Sequence, residues 1–515
     1  MATEGEETAT TTAAAEKTFL VQSEDGMEFL VSESEASQSM TIDGETVCYD
    51  GEPIYVNVDG ETLSKVLHYC KKHAAAGDHD DLLSAWDAEL VGGVDLETLY
   101  DLILVIDRLL LPPIDRNHQL RTNRLIDDVQ ASKQLEVRGL LDLACGAVAG
   151  RTKGRSPREI CHLLDIRGVF FPDFHQQLSS ARSGSRSSES TARELKLTEK
   201  ALRALHVVRV HEFTSYEPKQ DYHVCYRFHH EFNMALFDYH KETRFCRGPP
   251  LCKRRPLVGA CLNIISLKVR ESDVGFPINV FGTVVARDSV DYRCVYLFRR
   301  DRDDPQLITS PDDVLSLSDP CRALVPRSRV HFEIDLKIKC DGGADQVFSK
   351  GLEEFDSVRL ATGKETMTLS LESYLSRLEL SCVQVYTPVE ATFAINILKG
   401  PCNISRVVVA TRGNFRDRRI LYEATDNHIV IGDGGSVPLT RRVVAVPRDQ
   451  KLALFLVGGD DVVLGHLALT LGHSDKVVNC KMGCAELEVK VAWTAVPRRK
   501  RPNMFKEVGD VRLLL

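Results

Sequence analysis

Two hydrophobic rhythms divide the chain. Between residues 17 and 178 most apolar positions recur at helical spacing, whereas from about 260 to 496 apolar and polar positions alternate. The first signal is a hairpin. Thr18-Phe19-Leu20-Val21-Gln22-Ser23 and Met27-Glu28-Phe29-Leu30-Val31 flank Asp25-Gly26, a dipeptide that tolerates the positive φ of a tight turn. Ile54 to Val58 alternates as a third strand. Leu63, Val66, Leu67 and Cys70 then share one helical stripe, and further stripes run through Leu96 to Leu104 and Leu140 to Val148. Ser156-Pro157-Arg158-Glu159 has the form of a helix start, with Ser as N-cap and Pro at the first helical position, ahead of Ile160, Leu163 and Leu164 on one face.

The alternating rhythm is clearest from Val330 to Lys339, whose even positions are all apolar and odd positions all polar. It predicts a strand with one buried face and one wet face. Comparable runs occur at Leu262 to Val269, Ile278 to Ala286, Arg293 to Phe298, Leu378 to Tyr386, Ala391 to Leu398, Val443 to Val446, Leu452 to Val457 and Glu486 to Val496, separated by Gly, Pro, Asp and Asn turns. So many short strands predict an antiparallel all-β sandwich or barrel. The expected chain is therefore an α+β multidomain protein. It has a disordered Thr/Ala/Glu-rich tail at 1–16, a helical α/β domain at 17–178, and a flexible Ser/Arg/Gly-rich linker at 179–192. A lead-in of uncertain structure follows at 193–259, then a β-rich domain at 260–496 and a basic tail at 497–515.

Length and charge sharpen this division. A chain of 515 residues exceeds one ordinary core. The net charge of −9 conceals 32 acidic and 15 basic side chains in residues 1–178 against 42 acidic and 50 basic in the remainder. Halves of opposite sign either attract one another or meet different partners. No stretch approaches about 18 uninterrupted apolar residues and the N-terminus is acidic, so a soluble, intracellular protein with no membrane partner is expected.

The 15 cysteines are scattered and form no CxxC pair, which in a reducing compartment makes them small buried hydrophobes. His223, Cys225, His229 and His230 come nearest to a ligand cluster, but satisfied or exposed histidines between strands account for them as well, so no metal or cofactor is expected. No phosphate-cradling loop, GxSxG elbow, HExxH or calcium-loop spacing is present, and no catalytic residue can be named. Gly432-Asp433-Gly434-Gly435 and Gly458-Gly459-Asp460-Asp461 read as turns. Arg498-Arg499-Lys500-Arg501 is a candidate nuclear import signal, consistent with a protein of nucleus and cytoplasm. Without interleaved aromatics to stack on bases, nucleic acid is an unlikely partner.

Five words in the helical region carry a family resemblance: Leu63-Ser64-Lys65-Val66-Leu67-His68-Tyr69-Cys70-Lys71-Lys72-His73, Ser84-Ala85-Trp86-Asp87-Ala88-Glu89, Leu99-Tyr100-Asp101-Leu102-Ile103-Leu104, Gly139-Leu140-Leu141-Asp142-Leu143-Ala144-Cys145 and Arg155-Ser156-Pro157-Arg158-Glu159-Ile160. In order and spacing, residues 17–178 resemble the Skp1 family. The resemblance implies a BTB/POZ-type domain with C-terminal helices, acting as a non-catalytic adaptor in SCF-type cullin-RING ubiquitin ligases. One face would dock on a cullin N-terminal domain. The last helices would clasp an F-box protein, with Leu140, Leu141, Leu143, Pro157, Ile160, Leu163, Leu164 and Ile166 offering the apolar seat.

The chain departs from the family in three places. An insertion at Val105 to Gln130, genuine or a translated intron, separates two family words. The cullin-facing Asn-Tyr of the family then aligns with Asp107-Arg108 or with Lys133-Gln134, and neither preserves it. At the F-box clasp, Ile166 to His175 replaces a Phe-Thr-Pro and acidic run, and the closing Trp-Ala-Phe-Glu helix is absent. The acidic loop at His79-Asp80-Asp81 is short. The β-rich segment resembles a plant domain of unknown function. Two readings follow: an adaptor in ubiquitin-dependent protein catabolism, or a diverged interaction protein that no longer assembles a ligase and whose β-rich domain covers the clasp or binds targets of its own.

Overall fold

A computed structural model describes residues 17–39, most of 42–110, 135–152, 159–160, 189–229, 234, 237–243, 248 and 251, and, with short breaks, 259–496. The chain forms two compact units. The first comprises the chain to Glu212 together with Phe232–Leu236, and the second comprises Phe213–Glu231 and the chain from Phe237 onward.

In the first unit, β1 (Thr18–Ser23) pairs antiparallel with β2 (Glu28–Ser32) across the expected Asp-Gly turn, where Gly26 sits at φ +81°. Ser32 then caps a short helix, α1 (Glu33–Ala36). Its hydroxyl accepts from the Glu35 N–H while the Glu35 carboxylate accepts from the Ser32 N–H. β3 (Ile54–Val56) lies parallel to β1 on the side away from β2. Asp59 starts the next helix, its Oδ1 accepting from the Thr62 N–H at 2.9 Å, and the hairpin turn is tied to the same place by Asp25 Oδ1, which accepts from the Gly60 N–H at 2.8 Å. Among the described residues follow α2 (Gly60–Ala76), α3 (Asp80–Gly92), α4 (Leu96–Leu110), α5 (Leu135–Thr152) and α6 (Glu189–Glu212). Phe19, Val21, Leu63, Val66, Leu99, Ile103, Ala144, Val148, Leu202 and Leu205 belong to one continuous core.

The domain boundary differs from the expected one. The segment read as linker and lead-in continues from residue 189 as α6, which belongs to the first unit, and the second unit begins at Phe213. Ala, Leu, Lys, Glu and Arg dominate α6, and Arg203 pairs with Glu199 at 3.5 Å one turn earlier.

The second unit opens with a hairpin of β4 (Thr214–Glu217) and β5 (Tyr222–Cys225). Two antiparallel sandwiches follow, each with its own core. In the first, the sheet β11-β10-β7-β8, with β9 beside β7, faces the sheet β12-β13-β6. Their ranges are β6 (Ala260–Ser272), β7 (Ile278–Arg287), β8 (Val295–Arg300), β9 (Gln306–Ile308), β10 (Arg329–Ile338), β11 (Gln346–Asp356), β12 (Met367–Ser373) and β13 (Ser376–Tyr386). In the second, β17-β14-β21-β20 faces β16-β15-β18-β19, with β14 (Pro388–Lys399), β15 (Ile404–Thr411), β16 (Arg419–Glu423), β17 (Val443–Pro447), β18 (Leu452–Gly458), β19 (Val463–Leu469), β20 (Lys476–Met482) and β21 (Ala485–Ala495). Thr387 alone links β13 of one sandwich to β14 of the other. Gly282 of β7 is at φ +122°, and a Cβ there would lie 2.2 Å from the Asp335 carbonyl oxygen of β10, so only glycine fits.

Strand β10 corrects the one-face reading of its alternation. Val330, Phe332, Ile334, Leu336 and Ile338 are buried as expected, but His331 and Glu333 on the opposite face are only 4% and 2% exposed. Arg227 and Phe228 cover them. Glu333 accepts from Arg287 Nε and Arg227 Nη1 at 2.6 Å each and from the Phe228 N–H at 2.9 Å, and Phe228 stacks on His331 at 3.7 Å. Burial opposes ionisation of Glu333, but the two guanidiniums outweigh it and hold the carboxyl below its usual range. A second buried carboxylate, Asp288, accepts from both terminal nitrogens of Arg322 at 2.5 and 2.8 Å and from the Val325 N–H at 2.7 Å. Across the seam between the sandwiches, the Asn263 side-chain amide exchanges two hydrogen bonds with the Ala445 backbone, and Glu390 accepts from the Ala323 N–H at 2.7 Å.

Glu333→Ala strands two buried guanidiniums and is expected to destabilise the second unit by about 3–5 kcal/mol, read as a lowered urea midpoint; a midpoint unchanged from wild type would refute the buried triad. Glu353 on β11 titrates in the other direction: burial, then the neighbouring Glu354, pushes its carboxyl from 4.5 up to about 7. Its folded form therefore holds a proton that the unfolded form has released between those pH values, so stability falls as pH rises from 4.5 to about 7 and this contribution levels off above it. Glu353→Gln should remove that part of the decline in a pH series of urea midpoints.

Candidate protein-docking site

The first four family words of the sequence fall on helices α2 to α5, and of the fifth only Glu159 and Ile160 are among the described residues. Tyr69 and Cys70 point into the core from α2, while His73, one turn later, stacks on Tyr69 at 4.0 Å. His73 Nε2 lies 3.0 Å from an Asp87 oxygen on α3, and Trp86 of α3 meets the His68 ring edge-on at 5.6 Å. Lys72 sits over the Trp86 ring at 5.9 Å. The two words thus form one aromatic staple that holds α3 against α2.

Of the expected apolar seat, the described residues belong to the unit's own core. Leu140 and Leu141 on α5 are 1% and 6% exposed and Ile160 is 1% exposed, all within the unit's core, and Leu143 is half-buried against it. The residues that complete this core come from α6, whose Ala201, Leu202, Ala204, Leu205, Val207 and Val208 are buried in the same cluster. α6 packs against both α4 and α5. Its N-terminal half is anchored by Lys200, which lies 2.6 Å from Asp101 and 3.7 Å from Glu97 on α4, and its C-terminal end by His211 paired with Asp142 on α5. Met234 returns to the same helix, its backbone N–H donating to His206 Nδ1 at 3.1 Å. Tyr100 of α4 is buried, with no hydrogen-bond partner for its hydroxyl, and burial pushes its phenol up to about 12.

Of the other expected site residues, Asp107 and Arg108 lie in the last turns of α4, which runs on to Leu110 through the start of the expected insertion. Lys133, Gln134, Pro157, Leu163, Leu164, Ile166 and Arg498, Arg499, Lys500 and Arg501 lie outside the described residues. Among the described residues no three of His, Cys, Asp or Glu gather as a metal site. His223 packs edge-on to Tyr216, while Cys225 Sγ donates to the Arg227 carbonyl at 3.5 Å and His229 Nδ1 lies 3.0 Å from the same oxygen. Among the described residues no helix is long and apolar enough to cross a membrane. The contribution of α6 was missed because a Ser/Arg/Gly-rich run precedes it. Its helical spacing of Leu202, Leu205 and Val208 was nonetheless present to be read.

Comparison with known proteins decides the ancestry of the first unit. Residues 17–75 match the Skp1 family tetramerisation domain and residues 138–170 the Skp1 family dimerisation domain. SKP1-like protein 4 of Arabidopsis thaliana is 33% identical over 175 residues, covering 31% of this chain and 91% of that protein. The chain belongs to the Skp1 family. SKP1-like protein 1 of Oryza sativa subsp. japonica is 33% identical over 200 residues, 35% of this chain and 95% of its own length, and SKP1-like protein 13 of Arabidopsis thaliana is 34% identical over 170 residues, 32% and 93%. This Skp1-family chain carries a fusion: residues 261–491 match a domain of unknown function, DUF6598, which spans both sandwiches. Human GIVD cytosolic phospholipase A2 is matched at 8% identity with a TM-score of 0.17 over 47% of this chain and 31% of that one, a likeness too weak to carry an argument. Helix α6 lies outside all three family models.

If α6 is integral to the core, Leu202→Ala should lower the stability of the first unit by about 2–5 kcal/mol, whereas Leu197→Ala, on the exposed side of the same helix, should stay within about 0.5 kcal/mol. Denaturant unfolding followed by helical circular dichroism reads both, and equal effects would contradict the burial of α6.

Proposed function

We propose that this Skp1-family protein is a non-enzymatic adaptor of an SCF-type cullin-RING ubiquitin ligase, bridging a cullin N-terminal domain to F-box proteins in ubiquitin-dependent protein catabolism. The observation that carries the reading is the match of both Skp1 segments, 17–75 and 138–170, to a unit whose helices pack as one core. Adaptors of this family are not catalysts, and their binding energy comes from apolar helix faces that seat partner helices. The fused sandwiches would then present a target or localise the assembly, in nucleus and cytoplasm.

The closing of α6 over α4 and α5 favours a second reading, that of a diverged interaction protein which no longer assembles a ligase. Purified full-length chain, tested by biolayer interferometry against a cullin N-terminal domain and against an F-box domain, separates the two. Measurable binding to both is expected of an adaptor. Binding to neither would leave only the second reading.

A further inference from the structure

We propose that α6 is a built-in occupant of the α4–α5 docking face, so that a partner helix gains that face only when α6 leaves it. The inference rests on the adaptor reading and adds a regulatory element to it.

Three observations carry it. First, α6 is an addition to the family unit. The Skp1 family matches end at residue 170 and α6 begins at Glu189, yet it supplies six buried apolar residues to the core of α4 and α5. In a chain without α6, that part of the face is open to water or to a partner, and an amphipathic helix with apolar positions at i, i+3, i+4 and i+7 is the shape that fits it. Ala201, Leu202, Ala204, Leu205 and Val208 have that spacing.

Second, its polar anchors are partly exposed ion pairs. Lys200 faces Asp101 and Glu97, and His211 faces Asp142, with side chains that remain partly open to solvent. Such pairs contribute little individually, so the apolar stripe dominates the hold and a partner with a comparable stripe can compete with it. Third, α6 passes into β4 through Phe213 alone, and its preceding sequence is the Ser/Arg/Gly-rich stretch 179–188. That ten-residue stretch, whose one apolar side chain is Ala181, has the composition of a linker.

An internal occupant lowers a partner's apparent affinity by the fraction of molecules in which it has left. The test uses the full-length chain and a fluorescently labelled F-box domain, titrated by anisotropy. Leu202→Asp with Leu205→Asp places two carboxylates in the apolar contact and should tighten F-box binding by about tenfold or more relative to wild type. Lys200→Glu, which reverses an anchor at a partly exposed site and leaves the core intact, should tighten it in the same direction by about threefold, and decides the matter if the double variant does not fold. Binding of equal strength by wild type and variants would overturn the occupancy of the face while leaving the adaptor reading in place. If no form of the chain binds the F-box domain, the adaptor reading fails and the inference falls with it.

Discussion

An amphipathic helix cannot leave its apolar face in water, and the first unit is organised by that constraint. Helix α4 carries the strongest apolar stripe of the family segment, and α6 closes over it and over α5 with Leu202, Leu205 and Val208. The small mixed sheet packs on the other side of the same core through Phe19, Val21 and Val31. Within this chain, α6 supplies the apolar side chains that cover α4 and α5. Removing either partner of such a contact exposes large apolar side chains, so the position of α6 couples folding of the unit to the availability of its surface.

The β-rich half solves a different problem. Two sandwiches joined by Thr387 bring strand ends together, and the seam combines a small apolar cluster, with Cys261, Ala323 and Val385 against Ala445 and Val496, with charged and amide groups. Asp288 with Arg322, Glu390 with the Ala323 amide, and Asn263 with the Ala445 backbone satisfy one another there. Glu333, between Arg287 and Arg227, performs the same task at the outer face of the first sandwich, where it fixes the segment after the hairpin β4–β5. Buried ions of this kind add little net stability compared with a hydrocarbon core, but each demands its specific partners, which makes one arrangement of the segments preferable to any other.

Much of the molecule was legible in one dimension. The Asp-Gly hairpin, the stripes of α2, α4 and α5, and the alternating strands follow from local spacing, because a residue's neighbours at i+2 or i+3/i+4 lie on its own face whatever the tertiary fold. The words of the Skp1 family were legible for a related reason: Tyr69, His73, Trp86 and Asp87 must meet across two consecutive helices, which fixes their spacing. Less legible were the second face of β10 and the split of the strands into two cores. His331 and Glu333 have the polarity of a wet face, and only the return of Arg227 and Phe228, about a hundred positions away in sequence, reveals that they are covered.

By itself the sequence determined the periodic helices and strands other than α6, the family of the first third and the opposite charge of the two halves, since all three reside in residue type and short-range order. Only the tertiary structure decided that Leu140, Leu141 and Ile160 face inward under α6, that the unit ends at Glu212, and that paired sandwiches share a polar seam. The reason is physical: an apolar stripe specifies that something must cover it, but the choice between water-excluding neighbours depends on which distant segments the folded chain brings within van der Waals reach.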